Sequence, residues 1–332
     1  MGLTIGTRGS KLAMAQTLLV QEALRQAPES VGADVVRIST AGDRVQDRPL
    51  AQIGGKALFV AEIESALREG RIHIAVHSAK DIPSDLPADM HIAACLPRAD
   101  ARDVLITRQA SDINSDINSD IAGLPAGSRV GTSSPRRACQ LRALRNDLDI
   151  RDIRGNVDTR LAKLDAGDFD AIVLAAAGLS RLGLLNRVTQ YVPFSMMLPC
   201  AGQGAIAIEV LASDENTLRL VSQLDHEPTS RAVAAERAFA LTIGGSCETP
   251  LAAHAVVGYN ELTLSAMIGD ASGQCVSGTI AGRSADAERL GEMLAAQLLA
   301  NGGAALLGSH LRPHIMTPPT APWPLQTTNP GT

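Results

Sequence analysis

Aromatic residues are scarce in this 332-residue chain, at 2% of its composition. Proteins that bind single-stranded nucleic acid stack the bases on aromatic side chains. The formal net charge of -5 also disfavours a polyanionic partner. The composition therefore predicts no nucleic-acid partner.

Motifs for metal binding and disulfide exchange are also missing. The five cysteines include no Cys-x-x-Cys pair, and the seven histidines include no HExxH sequence. We therefore expect reduced thiols and no metal site.

Long apolar runs are absent as well. No segment approaches the roughly 18 apolar residues that a membrane span requires. The start, MGLTIGTRGSKLAMAQ, lacks the basic, apolar and cleavage regions of a signal peptide. These features predict no membrane partner and a cytoplasmic location.

Short apolar runs alternate with helical patterns over most of the chain. LTIGT, VVRIST, IHIAVH and VLIT are typical of strands, and residues 11–26 and 56–69 have helical spacing. A second such unit covers SRVGT, DIRDI and DAIVLAA, and AGQGAIAIEVL is typical of a further strand, which we expect could return the chain to the first sheet. This alternation predicts an α/β fold with mainly parallel sheets, which bind ligands at the carboxyl ends of their strands.

The pattern changes after residue 228 to one helix, three alternating runs and a final helix, which predicts a small α+β domain. The predicted boundaries are 1–104 with 201–224 for a discontinuous first lobe, 105–200 for the second lobe, 225–312 for the small domain and 313–332 for a disordered tail.

An acidic residue stands out where one predicted strand ends. IAVHSAKDIP places Ser78, Lys80 and Asp81 at the carboxyl end of its strand. In a cleft, an ionised Asp81 can stabilise a cation and move protons. A salt-linked turn that stops at Pro83 explains the same residues. If the backbone stays extended, Lys80 points away from Asp81.

Cationic residues recur at strand-to-helix junctions. GTSSPRRACQ offers Ser134 as a helix N-cap, followed by Arg136 and Arg137, an arrangement that suits carboxylate or phosphate. A capped surface helix with two exposed arginines is the alternative. Similar junctions contain Arg8, Ser10, Arg154, Arg160 and Arg181. Together they predict a cation-lined cleft for a ligand with several carboxylates.

Two glycine-rich segments complete the candidate site. In GGSCETP, Gly244 and Gly245 give the backbone freedom to lift Cys247 into a cavity, although a free cysteine is often simply buried. IGGKALF places Lys56 and Phe59 after two glycines, which predicts either a mobile loop or a glycine-hinged helix start.

AVHSAKDIP, VGTSSPRR, RGNVDTRLAKL, LAAAGLSRLG and LPCAGQGAIAIE together resemble the porphobilinogen deaminase family, also called hydroxymethylbilane synthases. The resemblance runs from about Ile5 to about Leu306. It implies two lobes like those of periplasmic binding proteins and a small third domain. It also implies a monomeric transferase that joins four porphobilinogen molecules head to tail, with loss of ammonia, into hydroxymethylbilane.

The resemblance also implies a role for each candidate residue. Cys247 would hold a dipyrromethane cofactor through a thioether, and Asp81 would be catalytic. Lys56 and Phe59 would belong to a loop near the site. Residues that would bind the cofactor and substrate are Arg8, Ser10, Ser78, Lys80, Ser133, Ser134, Arg136, Arg137, Arg154, Arg160 and Arg181.

Two other classes of protein remain open on the residues alone. A binding or sensing protein would close two lobes on a carboxylate without chemistry, because fold does not fix function. A cysteine hydrolase would need a histidine within reach of Cys247, and His254 is the candidate nearest in sequence.

Overall fold

The computed structural model describes residues 2–40, 60–108, 120–244 and 249–308. The predicted loop residues Lys56 and Phe59, the predicted cofactor cysteine Cys247 and the predicted disordered tail lie outside the described residues.

The described elements follow the predicted alternation of strands and helices. The strands are β1 (Leu3–Thr7), β2 (Ala33–Arg37), β3 (Ile74–Ser78), β4 (Met90–Cys95), β5 (Asp103–Thr107), β6 (Arg129–Gly131), β7 (Asp149–Arg151), β8 (Ala171–Ala175), β9 (Gln190–Tyr191), β10 (Ile206–Leu211), β11 (Leu251–Val257), β12 (Glu261–Gly269) and β13 (Cys275–Arg283). The helices are α1 (Lys11–Gln26), α2 (Ala61–Arg68), α3 (Pro135–Leu144), α4 (Val157–Asp165), α5 (Ala176–Arg181), α6 (Glu215–Ser222), α7 (Glu227–Ile243), α8 (Ala287–Leu298) and α9 (Ala304–Leu307).

The first sheet has the strand order β2-β1-β3-β10-β4. Strand β10 is antiparallel to both β3 and β4, so the other four strands point the same way. Ile5, Ile74 and Ile208 from this sheet pack in one core with Val20 and Leu24 of α1. The predicted return of the AGQGAIAIEVL segment to the first sheet is confirmed.

The second sheet has the order β7-β6-β8-β5-β9, with β5 as its reversed strand. The predicted α/β class with mainly parallel sheets is confirmed, with one reversed strand in each sheet. The predicted boundary between residues 104 and 105 falls inside β5, and the domain boundaries stay a prediction.

The third sheet, β11-β12-β13, is antiparallel throughout. One of its faces packs against α7 and α8 through a core that includes Phe239, Leu264 and Leu294. The described part of the chain thus contains the predicted small α+β unit.

Residues Ser284–Leu307 are apolar and long enough to cross a membrane by length and composition. However, Leu290, Leu294 and Leu298 are buried in the core of the third unit. Asn301 and Gly302 also interrupt the helical geometry. We interpret the segment as a core helix.

A buried carboxylate on α7 links three parts of the fold. Glu236 is fully buried and accepts hydrogen bonds from Arg98 at 2.7 and 3.1 Å, from the Gly202 N–H at 2.7 Å and from the Ala255 N–H at 2.7 Å. Arg98 follows β4, Gly202 precedes β10 and Ala255 lies on β11. Glu236 therefore holds the first lobe and the third unit together.

Replacing Glu236 with glutamine is expected to destabilise the protein by about 3–5 kcal/mol, because it leaves Arg98 buried without its counter-charge. The shift in the urea or thermal unfolding transition measures this loss. Glu227→Gln is the matched control on the same helix, since its ion pair with Arg231 is exposed and contributes about 0–1 kcal/mol. Equal shifts for both variants would contradict the role of Glu236.

Candidate active site

The predicted polar residues lie where strands of both lobes end. Arg8 follows β1 and Lys80 follows β3 in the first lobe, while Ser133 follows β6 and Arg154 follows β7 in the second. The two lobes also meet at the start of α1, where Lys11 pairs with Asp158 of α4 at 2.7 Å. We refer to the region between these strand ends as the cleft.

The turn that carries Asp81 is anchored by buried neighbours and by a backbone hydrogen bond. Residues Ala79–Asp81 form a 3-10 turn. The backbone is therefore not extended here, and an extended backbone was the condition under which Lys80 would point away from Asp81. Ala79 and Ile82 are buried on either side, and the Ala79 N–H donates to the Ala205 carbonyl at 3.0 Å. This anchoring leaves Lys80 and Asp81 partly exposed at the cleft.

A glycine supports the same turn. Gly202 has φ +74°, and a Cβ there would lie 2.9 Å from atoms of Ala79 and from the Lys80 nitrogen. Because this backbone conformation and close approach both require glycine, the loop before β10 packs directly against the acidic turn. The same Gly202 donates to Glu236, as described above.

Lys80 lies between the charges of both lobes. Partial withdrawal from solvent lowers the pKa of its ammonium group, whereas Cys200, Asp81 and Asp103 act in the opposite direction and Arg137 adds to the lowering. Among the described residues, Lys80 forms no ion pair with a carboxylate. The ammonium group therefore has capacity for an anionic ligand.

Arg160 and Arg181 are two further cations that are partly shielded from solvent. Arg160 donates to the Gly155 carbonyl at 2.8 Å, and Arg181 donates to the Gly204 carbonyl at 2.6 Å. Burial lowers the pKa of each guanidinium to about 10, so both stay charged at neutral pH. Within the described ranges neither has a carboxylate partner. Charges that are partly withdrawn from water are stabilised by a charged partner, so these arginines fit a ligand with carboxylates.

Arg160 also connects the cation-lined lobe with the acidic turn. Withdrawal from solvent has the largest effect on the pKa of Arg160, and the charges of Arg137, Asp152, Arg154 and Asp81 have smaller effects. The structure therefore brings Lys80, Asp81, Arg137 and Arg160 within electrostatic range of one another, as the sequence predicts.

A buried aspartate organises the two arginines at the start of α3. Asp103 accepts from Arg136 Nη1 at 2.7 Å, from Arg137 Nη2 at 2.7 Å and from Gln203 Nε2 at 2.9 Å. The two guanidinium groups hold the pKa of this carboxyl far below its usual range, against the effect of its burial. Sequence reasoning missed both Asp103 and Gln203.

These contacts change the interpretation of Arg136 and Arg137. The sequence predicts guanidinium groups that face a ligand or solvent, whereas both side chains are buried and bound to Asp103. The alternative of an exposed arginine pair is therefore wrong. Arg136 Nε is buried and has no hydrogen-bond partner among the described residues, so donor capacity remains at this junction. Direct cofactor binding by the pair stays a prediction.

The predicted serines have identifiable structural partners. Ser10 and Ser134 cap α1 and α3, accepting from the Ala13 N–H at 3.2 Å and the Arg137 N–H at 3.4 Å. Ser78 accepts from Gln16 Nε2 at 2.7 Å. In addition, Ser133 donates to the Ile153 carbonyl. Their ligand contacts stay a prediction.

The described residues give little support to the rival protein classes, a cysteine hydrolase or a binding protein. His254 stacks on Phe194, with ring centroids 4.1 Å apart, and burial lowers the pKa of its imidazole. Cavities at the amino ends of β1 and β2, around Gly2 and Gly32, contain none of the predicted site residues. Among the described residues, no group of three or more histidine, cysteine or acidic side chains can hold a metal ion.

The two α/β lobes place partly buried cations around one acidic side chain, which defines a two-lobed protein suited to a polycarboxylate ligand. Residues 3–219 match the family model described as porphobilinogen deaminase, dipyromethane cofactor binding domain, and residues 230–300 match its C-terminal domain. The chain belongs to the porphobilinogen deaminase family.

Curated relatives agree over nearly their whole length. A porphobilinogen deaminase of Roseiflexus castenholzii is 51% identical over 305 residues, which is 92% of this chain and 98% of the relative. One from Syntrophotalea carbinolica is 44% identical over 308 residues, covering 92% of this chain and 95% of the relative.

Solved structures with a similar fold include periplasmic and substrate-binding domains. The Bordetella pertussis BvgS periplasmic VFT2 domain has a TM-score of 0.41 and 13% identity, covering 67% of this chain and 86% of that one. A substrate-binding domain of a putative amino acid ABC transporter from Streptococcus pneumoniae has a TM-score of 0.42 and 13% identity, covering 68% and 92%.

Proposed function

We propose that this protein condenses four porphobilinogen molecules head to tail into hydroxymethylbilane on a covalent dipyrromethane primer, and that it is a transferase. The match of both family models carries this conclusion. The partly buried cations of the cleft support it, because the substrate and the primer carry acetate and propionate groups.

The residues of the cleft fit the cofactor. Lys80, Arg160 and Arg181 are cations without a carboxylate partner among the described residues, which is the donor set that a polycarboxylate needs. Arg8, Ser10, Ser78, Ser133, Ser134, Arg136, Arg137 and Arg154 would complete the binding of the cofactor and substrate carboxylates. When bound through Cys247, the cofactor supplies the nucleophilic ring carbon to which substrate is joined.

Asp81 would carry the acid–base and electrostatic part of the reaction. Its carboxylate accepts hydrogen bonds from pyrrole N–H groups and stabilises the positive charge that develops on porphobilinogen as ammonia leaves. It then helps to remove the proton from the ring carbon that forms the new bond. The fixed turn at Ala79 and Gly202 gives this carboxylate a constant position.

Lys56 and Phe59 would form a loop near the site.

We further propose that the protein acts as a cytoplasmic monomer, which size-exclusion chromatography with light scattering tests directly.

The expected covalent state provides the test of this function. Intact-protein mass spectrometry should show a dipyrromethane adduct on the wild-type chain, and Cys247→Ser should lack it because the thioether cannot form. Cys275→Ser, at an exposed cysteine of the third unit, is the matched control and should keep the adduct. A wild-type protein that turns over porphobilinogen without any adduct would refute the proposed primer.

A further inference from the structure

The hairpin between β12 and β13 lies against α3 of the second lobe. Arg142 Nη1 donates to the Ala271 carbonyl at 2.9 Å. Gly273, at φ +100°, is so close that a Cβ there would lie 2.9 Å from the Arg142 Cβ. The third unit therefore contacts the helix whose first turn carries Arg136 and Arg137.

Alternation along β13 shows which face of the sheet meets α3. A Cβ on Gly278 would lie 3.0 Å from Leu298, and one on Gly282 would lie 2.8 Å from Leu290, so these residues face α8. Successive strand residues point to opposite faces. Cys275 and Ser277 therefore project from the other face, where both are exposed.

Cys139 approaches this second face from α3. Its thiol is fully buried beside Ala252 and Met267 and lies 3.8 Å from the Gln274 carbonyl oxygen. Gly269 stands directly opposite Cys275 in the ladder between β12 and β13. A Cβ on Gly269 would overlap Cys139 Sγ and would lie 3.5 Å from the Cys275 Cβ. Cysteines of two different domains thus converge on the same point.

We propose that Cys139 and Cys275 form a disulfide site, which is closed by a low-molecular-weight disulfide such as oxidised glutathione. The exposed Cys275 thiolate attacks the oxidant, forms a mixed disulfide and releases one glutathione thiolate. The Cys139 thiolate then attacks the Cys275 sulfur and displaces the second glutathione. The two protein thiols lose two electrons and two protons, and the oxidant is reduced to two thiols.

The environment of Cys139 sets the order and the pH dependence of these steps. Burial raises the pKa of the Cys139 thiol to about 11, and Cys275 also contributes to this rise. At neutral pH Cys139 is therefore almost entirely protonated and a slow nucleophile. Ring closure should accelerate as pH rises from 7 towards 11, because the thiolate fraction increases.

Closure of this site would restrict the movement of the domains. The bond would join α3, which begins beside the cleft, to the sheet next to the segment that contains Cys247. The thermal unfolding transition of the oxidised protein should move upward and return after reduction with dithiothreitol.

The test treats the loaded wild-type enzyme with oxidised glutathione and maps its peptides without reduction. The expected product is a Cys139–Cys275 cross-link, lighter by two hydrogens than the two free peptides and absent after dithiothreitol treatment. Cys275→Ser should abolish it. The double variant Cys275→Ser/Ser277→Cys moves the thiol two residues along the same exposed face, and should accumulate the glutathione adduct without the cross-link.

Three results would overturn the proposal. Glutathione could remain on Cys275 of the wild type without displacement at any pH up to 10. A cross-link could form equally fast in the Ser277→Cys double variant, or Cys275 could pair instead with Cys200 or with a second molecule.

Discussion

Asp81→Asn is expected to lower the turnover of porphobilinogen by about 10²–10³-fold or more, in line with the loss of one preorganised electrostatic group. The amide keeps the size of the side chain but removes the charge that, in the proposed mechanism, would stabilise the developing cation and accept the proton from the ring carbon. Ala79 and Ile82, which anchor the turn, remain unchanged. The fold should therefore be preserved.

Single-turnover kinetics on protein whose adduct is verified by mass spectrometry measures this effect apart from primer loading. Asp85→Asn is the matched control, because it makes the same chemical change at an exposed position on the same segment. It should react at close to the wild-type rate. An Asp81→Asn enzyme that turns over within a few-fold of wild type would show that another group carries the proton transfer.

Asp103→Asn is expected to destabilise the protein by about 3–5 kcal/mol and to yield mainly protein without cofactor. The substitution leaves Arg136 and Arg137 buried without their counter-charge, which is more damaging than loss of an exposed ion pair. The two guanidinium groups then lack the acceptor that fixes their positions at the start of α3.

Thermal unfolding and intact mass measure the two effects of Asp103→Asn. Asp100→Asn, three residues earlier, is the control, because its ion pair with Arg102 is partly exposed and contributes about 0–1 kcal/mol. The pKa of Asp103 is lowered in the folded protein. Its stabilisation is thus present above the unfolded-state pKa of about 3.9 and is lost as pH falls below it. The stability difference between wild type and variant should shrink in strong acid, and a constant difference would contradict the ion-pair explanation.

The sequence predicts the strands and the position of the cleft because both depend on local patterns. Short apolar runs mark most strands, and the carboxyl ends of parallel strands then bring Lys80 and Arg160 to one region. The reversed direction of β5 and β10 could not be predicted in this way, since a strand has the same periodicity in either direction.

The buried polar contacts are less predictable because their partners are distant in sequence. Asp103 meets Arg136 and Arg137, and Glu236 meets Arg98, only after whole domains have packed. One signal was present: Asp103 opens the otherwise apolar strand DVLIT, and a carboxylate at a buried position requires a cation. Pairing Asp103 with Arg136 and Arg137 would have predicted that these two side chains point into the protein.

The absence of a side chain at Gly202 also allows one residue to link the acidic turn to the third unit. The Gly202 backbone packs against the acidic turn, and its N–H donates a hydrogen bond to Glu236 of the third unit. These contacts fix the position of the Asp81 turn relative to the third unit, which is the part of the chain that would hold the growing product, rather than relative to the second lobe.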